Sequence, residues 1–104
     1  MPAGKGTDLV IFAVARAKPG SEAEVFDALR NVAGPTRAQP GCVAFTLYRN
    51  ADDAGHITAA ERWSSAADHD RHLQSPHVAR LLAAMDGKLS EPPSITAFAI
   101  ADEV

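Results

Sequence analysis

Glu61 and Trp63 stand two residues apart in the run HITAAERW, and three histidines, His69, His72 and His77, follow shortly after it. In a strand, side chains two apart leave the same face, which would set the carboxylate and the indole beside Ile57 and Ala59. A carboxyl group taken out of water must be paired or have its pKa raised, and either state suits it to orient an imidazole or hold a substrate hydroxyl. Arg80 is an alternative, purely structural partner for Glu61. An imidazole titrates near neutrality, so His72 is the first candidate for a base and Glu61 for the group that orients it. Trp63 can stack on a flat ligand, although large aromatics also serve simply as core. His77 follows Pro76 and need not share the direction of His72. Phe45, Leu47 and Tyr48 in the run CVAFTLYR are candidates for a pocket wall, with Tyr48 turned opposite to the other two by strand alternation.

Several other chemistries are disfavoured. His69 and His72 are spaced to share a helix face, yet no Cys or Asp completes an evident zinc set with them, so neither a metal nor another cofactor is expected. Cys42, the single cysteine, cannot form an intrachain disulfide and reads as a small strand hydrophobe. The net charge is −3 with Lys and Arg scattered, which lacks the basic footprint of a nucleic-acid binder. No run approaches the roughly 20 apolar residues of a membrane span, and Met1 to Asp8 holds no apolar stretch of the secretory kind. A cytoplasmic protein with no membrane partner is the expectation. At 104 residues, 46% of them hydrophobic, the chain has the size and composition of one folded domain, 1–104 with a core over about 8–102.

These residues need elements to hold them. DLVIFAVARA (8–17) is a nearly unbroken apolar run closed by Lys18-Pro19-Gly20, which predicts a first strand. Ser21 with Glu24 has the spacing of a capping box, and Val25, Phe26, Leu29 and Val32 recur at helical spacing up to about Gly34-Pro35, with a further turn available to Gln39. Pro40-Gly41 breaks the chain before a second strand over Cys42–Arg49. The turn-forming stretch Asn50 to Gly55 then leads into a third, His56–Trp63. Ser64 or Ser65 caps a second helical region that restarts at Ser75-Pro76, where proline in the first turn loses no needed hydrogen bond. Val78, Leu81, Leu82, Met85 and Leu89 make its stripe, and Ser94–Ala101 supplies a fourth strand.

The order βαββαβ is that of the split βαβ, or ferredoxin-like, motif: an α+β fold with both helical layers on one face of an antiparallel sheet. Leu9, Ile11 and Ala13 point one way and Val10, Phe12 and Val14 the other, so both faces of the sheet are apolar. Two helical layers on one side cannot cover both. A second copy of the chain is the simplest cover, predicting a homodimer.

Five segments, Lys18-Pro19-Gly20, Thr36-Arg37 with Pro40-Gly41-Cys42, Glu61-Arg62-Trp63, Ser64-Ser65-Ala66-Ala67-Asp68 and His72-Leu73-Gln74-Ser75-Pro76-His77, occur in an order that resembles the antibiotic biosynthesis monooxygenase family over about residues 9–97. The resemblance implies a dimeric α+β barrel with a pocket between sheet and helices in each protomer. For several members it also implies oxygenation of hydroquinones or polyketide anthrones by O2 without flavin, haem or metal. His72 falls on the family's H-L histidine. Some polyketide-oxidising members carry an asparagine where this chain has Ala59, and the haem-degrading branch places an axial histidine near Leu82. The asparagine of that branch's first strand is also missing, so haem is not expected and Leu82 becomes an apolar wall candidate. A related enzyme of sugar-phosphate breakdown performs no oxygenation, so the site must decide.

Three readings follow. The first is a cofactor-independent monooxygenase acting with O2 on a quinol-like or polyketide-like aromatic. In it His72 and Glu61 are catalytic, and Trp63, Phe45, Leu47, Tyr48, His77 and Leu82 are substrate-binding. The second is an isomerase or lyase on a small carbonyl compound, in which His72 and Glu61 move protons. The third is a stress-related protein that binds quinones or other aromatics without turnover.

Overall fold

The computed structural model describes residues 8–103. The stretch read above as lacking a secretory signal lies outside them except for Asp8. Seven elements follow one another: β1 (Leu9–Arg16), α1 (Glu22–Arg37), β2 (Cys42–Arg49), β3 (His56–Trp63), α2 (Ala66–Leu73), α3 (Pro76–Met85) and β4 (Ser94–Ala99). The strands form one antiparallel sheet in the order β2-β3-β1-β4. This is the ferredoxin-like α+β fold, with the second helical region split in two at Ser75-Pro76 as its serine-proline pair predicts. Among the described residues, no helix is long and apolar enough to cross a membrane.

The three helix starts show how backbone conformation decides whether a serine caps. Ser65 and Ser75 are both extended, at φ −159°, ψ 161° and φ −72°, ψ 151°, and each side-chain oxygen accepts from the backbone N–H three residues on, Asp68 and Val78. That extended geometry is what aims an N-cap hydroxyl into the first turn. Ser21 sits at φ −106°, ψ 6° and makes no side-chain cap. The expected capping box with Glu24 therefore does not form. Glu24 pairs instead with Lys88 at 2.9 Å, while Glu22 accepts from the Gly20 N–H at 2.8 Å. At its other end α1 runs through Pro35 to Arg37, and β4 ends two residues before the expected boundary.

Alternation along the strands divides the sheet into two faces. Ile11 and Ala15 of β1, Phe45 of β2, and Ile57, Ala59, Glu61 and Trp63 of β3 turn toward the helices and are all buried. Against them pack Val25, Leu29 and Val32 of α1 with Val78 and Met85 of α3. On the opposite face Phe12 and Phe98 meet edge to face with centroids 5.6 Å apart, and with Tyr48 they stay exposed at 39%, 49% and 59%. The sheet is thus apolar on both sides in composition but covered on only one by the described residues. β4, at the edge, is exposed along its whole length.

Candidate active site

Register places Glu61 in the middle of the sheet, opposite Ile11 of β1 on one side and Phe45 of β2 on the other. One step along, Ala59 faces Ala13 of β1. Two methyl side chains on adjacent strands leave room beneath the helices, and a cavity of about 90 Å³ opens there with Ala13, Phe45, Ala59 and Glu61 in its floor. His69 and His72 of α2 close it from above, and α3 adds Val78, Leu81 and Met85. Its mouth lies among Leu73, Leu82, Pro93 and Ile95. Leu73, Leu82 and Ile95 are between 40% and 52% exposed. The wall is apolar except at one end, where Glu61, His69 and His72 meet.

His72 is held on every side. Its ring lies 4.8 Å from the Trp63 ring and 6.0 Å from that of His69, centroid to centroid. Its Nδ1 is 2.8 Å from Oε1 of Gln39, and Nε2 of His77 is 3.0 Å from the same oxygen. The other ring nitrogen, Nε2, looks toward Glu61 Oε1 at 3.9 Å, too far for a direct hydrogen bond. Glu61 is oriented separately by the Trp63 indole, which donates its Nε1–H to Oε1 at 2.8 Å.

Burial governs the charges. Loss of water, then the neighbouring His69 and His77, hold the His72 pKa down at about 4. Desolvation pushes the Glu61 carboxyl above its ordinary value, against the opposing pull of the Trp63 hydrogen bond. Both shifts oppose ionisation, so at this distance the pair is not an ion pair near neutral pH. His69 and His77 are also shifted down, each chiefly by desolvation. Among the described residues, no group of three His, Cys, Asp or Glu side chains is arranged to hold a metal ion.

The predicted site residues thus separate. His72, Glu61, Phe45 and Leu82 all border the cavity. Trp63 does not: it is fully buried, donating to Glu61 and packed against His72, both of which line the cavity. Leu47 packs into the two halves of the core, and Tyr48 lies on the far face of the sheet, more than half exposed. His77 lines a separate groove between α1 and α3 together with Arg80, the residue first considered as a partner of Glu61. Two residues went unassigned in the sequence. His69 lines the cavity rather than a metal site, and its three-residue spacing from His72 on α2 is the signal that both reach it. Gln39 carried no signal, because its contact with His72 spans 33 residues.

Comparison with known proteins places this geometry. A model of the family described as antibiotic biosynthesis monooxygenase matches residues 9–84. A Mycobacterium tuberculosis protein named "Putative monooxygenase Rv0793" is 38% identical over 69 residues, 66% of this chain and 67% of that one. The solved structure of Rv0793 superposes with a TM-score of 0.87 at 30% identity, covering 93% of this chain and 98% of that one. PA3566 from Pseudomonas aeruginosa superposes with a TM-score of 0.86 at 25% identity, covering 92% and 96% of the two chains.

Proposed function

Since the chain belongs to the antibiotic biosynthesis monooxygenase family, whose function is monooxygenase-like, we propose that it is a cofactor-independent monooxygenase oxidising a quinol-like aromatic with O2. It does so in the cytoplasm as a homodimer of single-domain chains. The observation that carries this reading is a basic ring nitrogen and a desolvated carboxyl group meeting at the one polar end of an otherwise apolar cavity.

His72 Nε2 and Glu61 Oε1 stand 3.9 Å apart, so a substrate hydroxyl set off that line reaches both at a hydrogen-bonding distance of about 2.8 Å. His72 takes the hydroxyl proton. The electron-rich anion left behind reduces O2 itself: one oxygen atom enters the product, the other leaves as water, and all the electrons come from the substrate. A buried imidazole at about 4 is a weak base on its own. The imidazolium, however, forms beside a nascent substrate anion and facing Glu61, and such stabilisation appears only as the charge develops. Phe45 and Leu82 supply apolar contact, and Trp63 acts through Glu61. Among the described residues no Lys or Arg borders the cavity, so a carboxylate or phosphate inside it would meet no counter-charge from them, and a neutral phenol fits better.

The test is oxygen uptake with a panel of hydroquinones. Uptake is expected, and His72→Phe should lower kcat about 10²- to 10⁴-fold, the range for a lost general base. Product formed equally without oxygen would replace this reading with proton transfer on a carbonyl compound. Tight binding with no product would replace it with sequestration.

A further inference from the structure

We infer that Gln39 is a positioning residue that fixes the tautomer of His72, holding the proton on Nδ1 so that Nε2 presents its lone pair to the cavity. The inference rests on His72 being the base of the proposed reaction. It follows from the chemistry of one atom. The Gln39 side-chain oxygen lies 2.8 Å from His72 Nδ1 and 3.0 Å from His77 Nε2. A carboxamide oxygen has two lone pairs and no proton to give, so both ring nitrogens must donate to it. A neutral imidazole that donates from Nδ1 has its lone pair on Nε2. That nitrogen is the one directed toward Glu61.

The backbone explains why the oxygen is there. Arg37, in the last turn of α1, donates from Nε and Nη2 to the Phe45 carbonyl at 3.0 and 2.9 Å, fastening the helix end to β2. The Gln39 N–H then donates to the Thr36 carbonyl at 3.0 Å, and its own carbonyl accepts from the Cys42 N–H at 3.2 Å. With its main chain tied at both ends, the half-buried Gln39 has little freedom except to point its carboxamide across at α2. His77 serves as the second donor. It fills the remaining lone pair of the same oxygen from the groove side.

The experiment reads the His72 ring nitrogens by ¹⁵N NMR of the full chain, in the native protein and in Gln39→Leu and Gln39→Glu, with thermal melts to verify folding. The native protein should show a neutral ring protonated on Nδ1. Gln39→Leu should lose that signature toward the Nε2–H form, and Gln39→Glu, which restores an acceptor, should keep it. In the oxygen-uptake assay Gln39→Leu should lower kcat about 10- to 100-fold with KM little changed, the size of effect seen when a histidine's orienting partner is removed. A native ring protonated on Nε2, or a signature unmoved in Gln39→Leu, overturns the inference, as does a shifted tautomer with kcat unaltered. The nitrogen readout needs no substrate. A native protein that consumes no oxygen would therefore sink the proposed reaction while leaving the tautomer result to stand or fall separately.

Discussion

At the scale of single residues, burial opposes charge on Glu61, His69, His72 and His77, and this has a consequence for stability. The His72 pKa falls from the ordinary 6.5 to about 4 on folding. Between those values the unfolded chain binds a proton that the folded chain refuses, so the folded state loses ground as pH drops through that window. His69 and His77 move in the same direction and add to the loss. Glu61 works the other way: with its pKa raised, it favours folding at acid pH and costs stability as pH rises from 4.5 through its folded value. Melting temperatures followed from about pH 7 down to about pH 4.5 should therefore fall, and His72→Phe, which keeps a ring beside Trp63, should flatten part of that slope; parallel curves would contradict the assignment. Glu61→Gln can still accept from the Trp63 indole, so it should melt near the native protein while lowering kcat in the oxygen assay. Alternation put Glu61 and Trp63 on one face of β3 and Phe45 and Leu47 opposite Tyr48 on β2, and motif position singled out His72, but which of those faces meets the helices was not legible. Nor was the separation of Trp63 from the cavity, because strand alternation gives a side chain's face but not what lies between it and an opening.

At the scale of elements, the helix junctions hold the site residues in place. Ser75 donates from Oγ to the His72 carbonyl at 2.6 Å and accepts from the Val78 N–H, so it joins the end of α2 to the start of α3. Ser75→Ala should cost about 1 kcal/mol in chemical denaturation. Gly41 carries a stricter requirement. It sits at φ +85°, and a Cβ there would overlap the Asp68 carboxylate, which accepts from Ser64 and Ser65 and pairs with Arg71. Gly41→Ala should therefore destabilise by about 1–3 kcal/mol; an unchanged denaturation midpoint would show that Asp68 moves aside freely. The Pro40-Gly41 break was plain in the sequence, as were β2, β3 and the Ser75-Pro76 restart, because each is written in local turn chemistry. The missing cap at Ser21 was not, because it depends on a ψ that the composition of a capping box does not determine.

At the scale of the whole molecule, the sheet's uncovered face and the cavity beneath its other face make separate demands. Phe12, Tyr48 and Phe98 on the outer face are the surface that the proposed homodimer would bury, and Phe12→Glu should yield a monomer in sedimentation experiments at low micromolar concentration. The doubly apolar strands made that face visible in the sequence, whereas the size of the cavity has no local signal there. Ala59→Leu should fill the space opposite Ala13 and abolish aromatic binding, at a stability cost of about 1–3 kcal/mol for overpacking; retained binding would place the ligand elsewhere. The cavity itself, at about 90 Å³, is smaller than the roughly 150 Å³ void known to admit one benzene. A ring-sized guest therefore requires the lining side chains to shift outward, and only the fraction of molecules already widened can receive it without that cost. Capture should accordingly reach a ceiling as ligand is raised in rapid mixing, with the rate of that breathing, rather than of diffusion, as its limit.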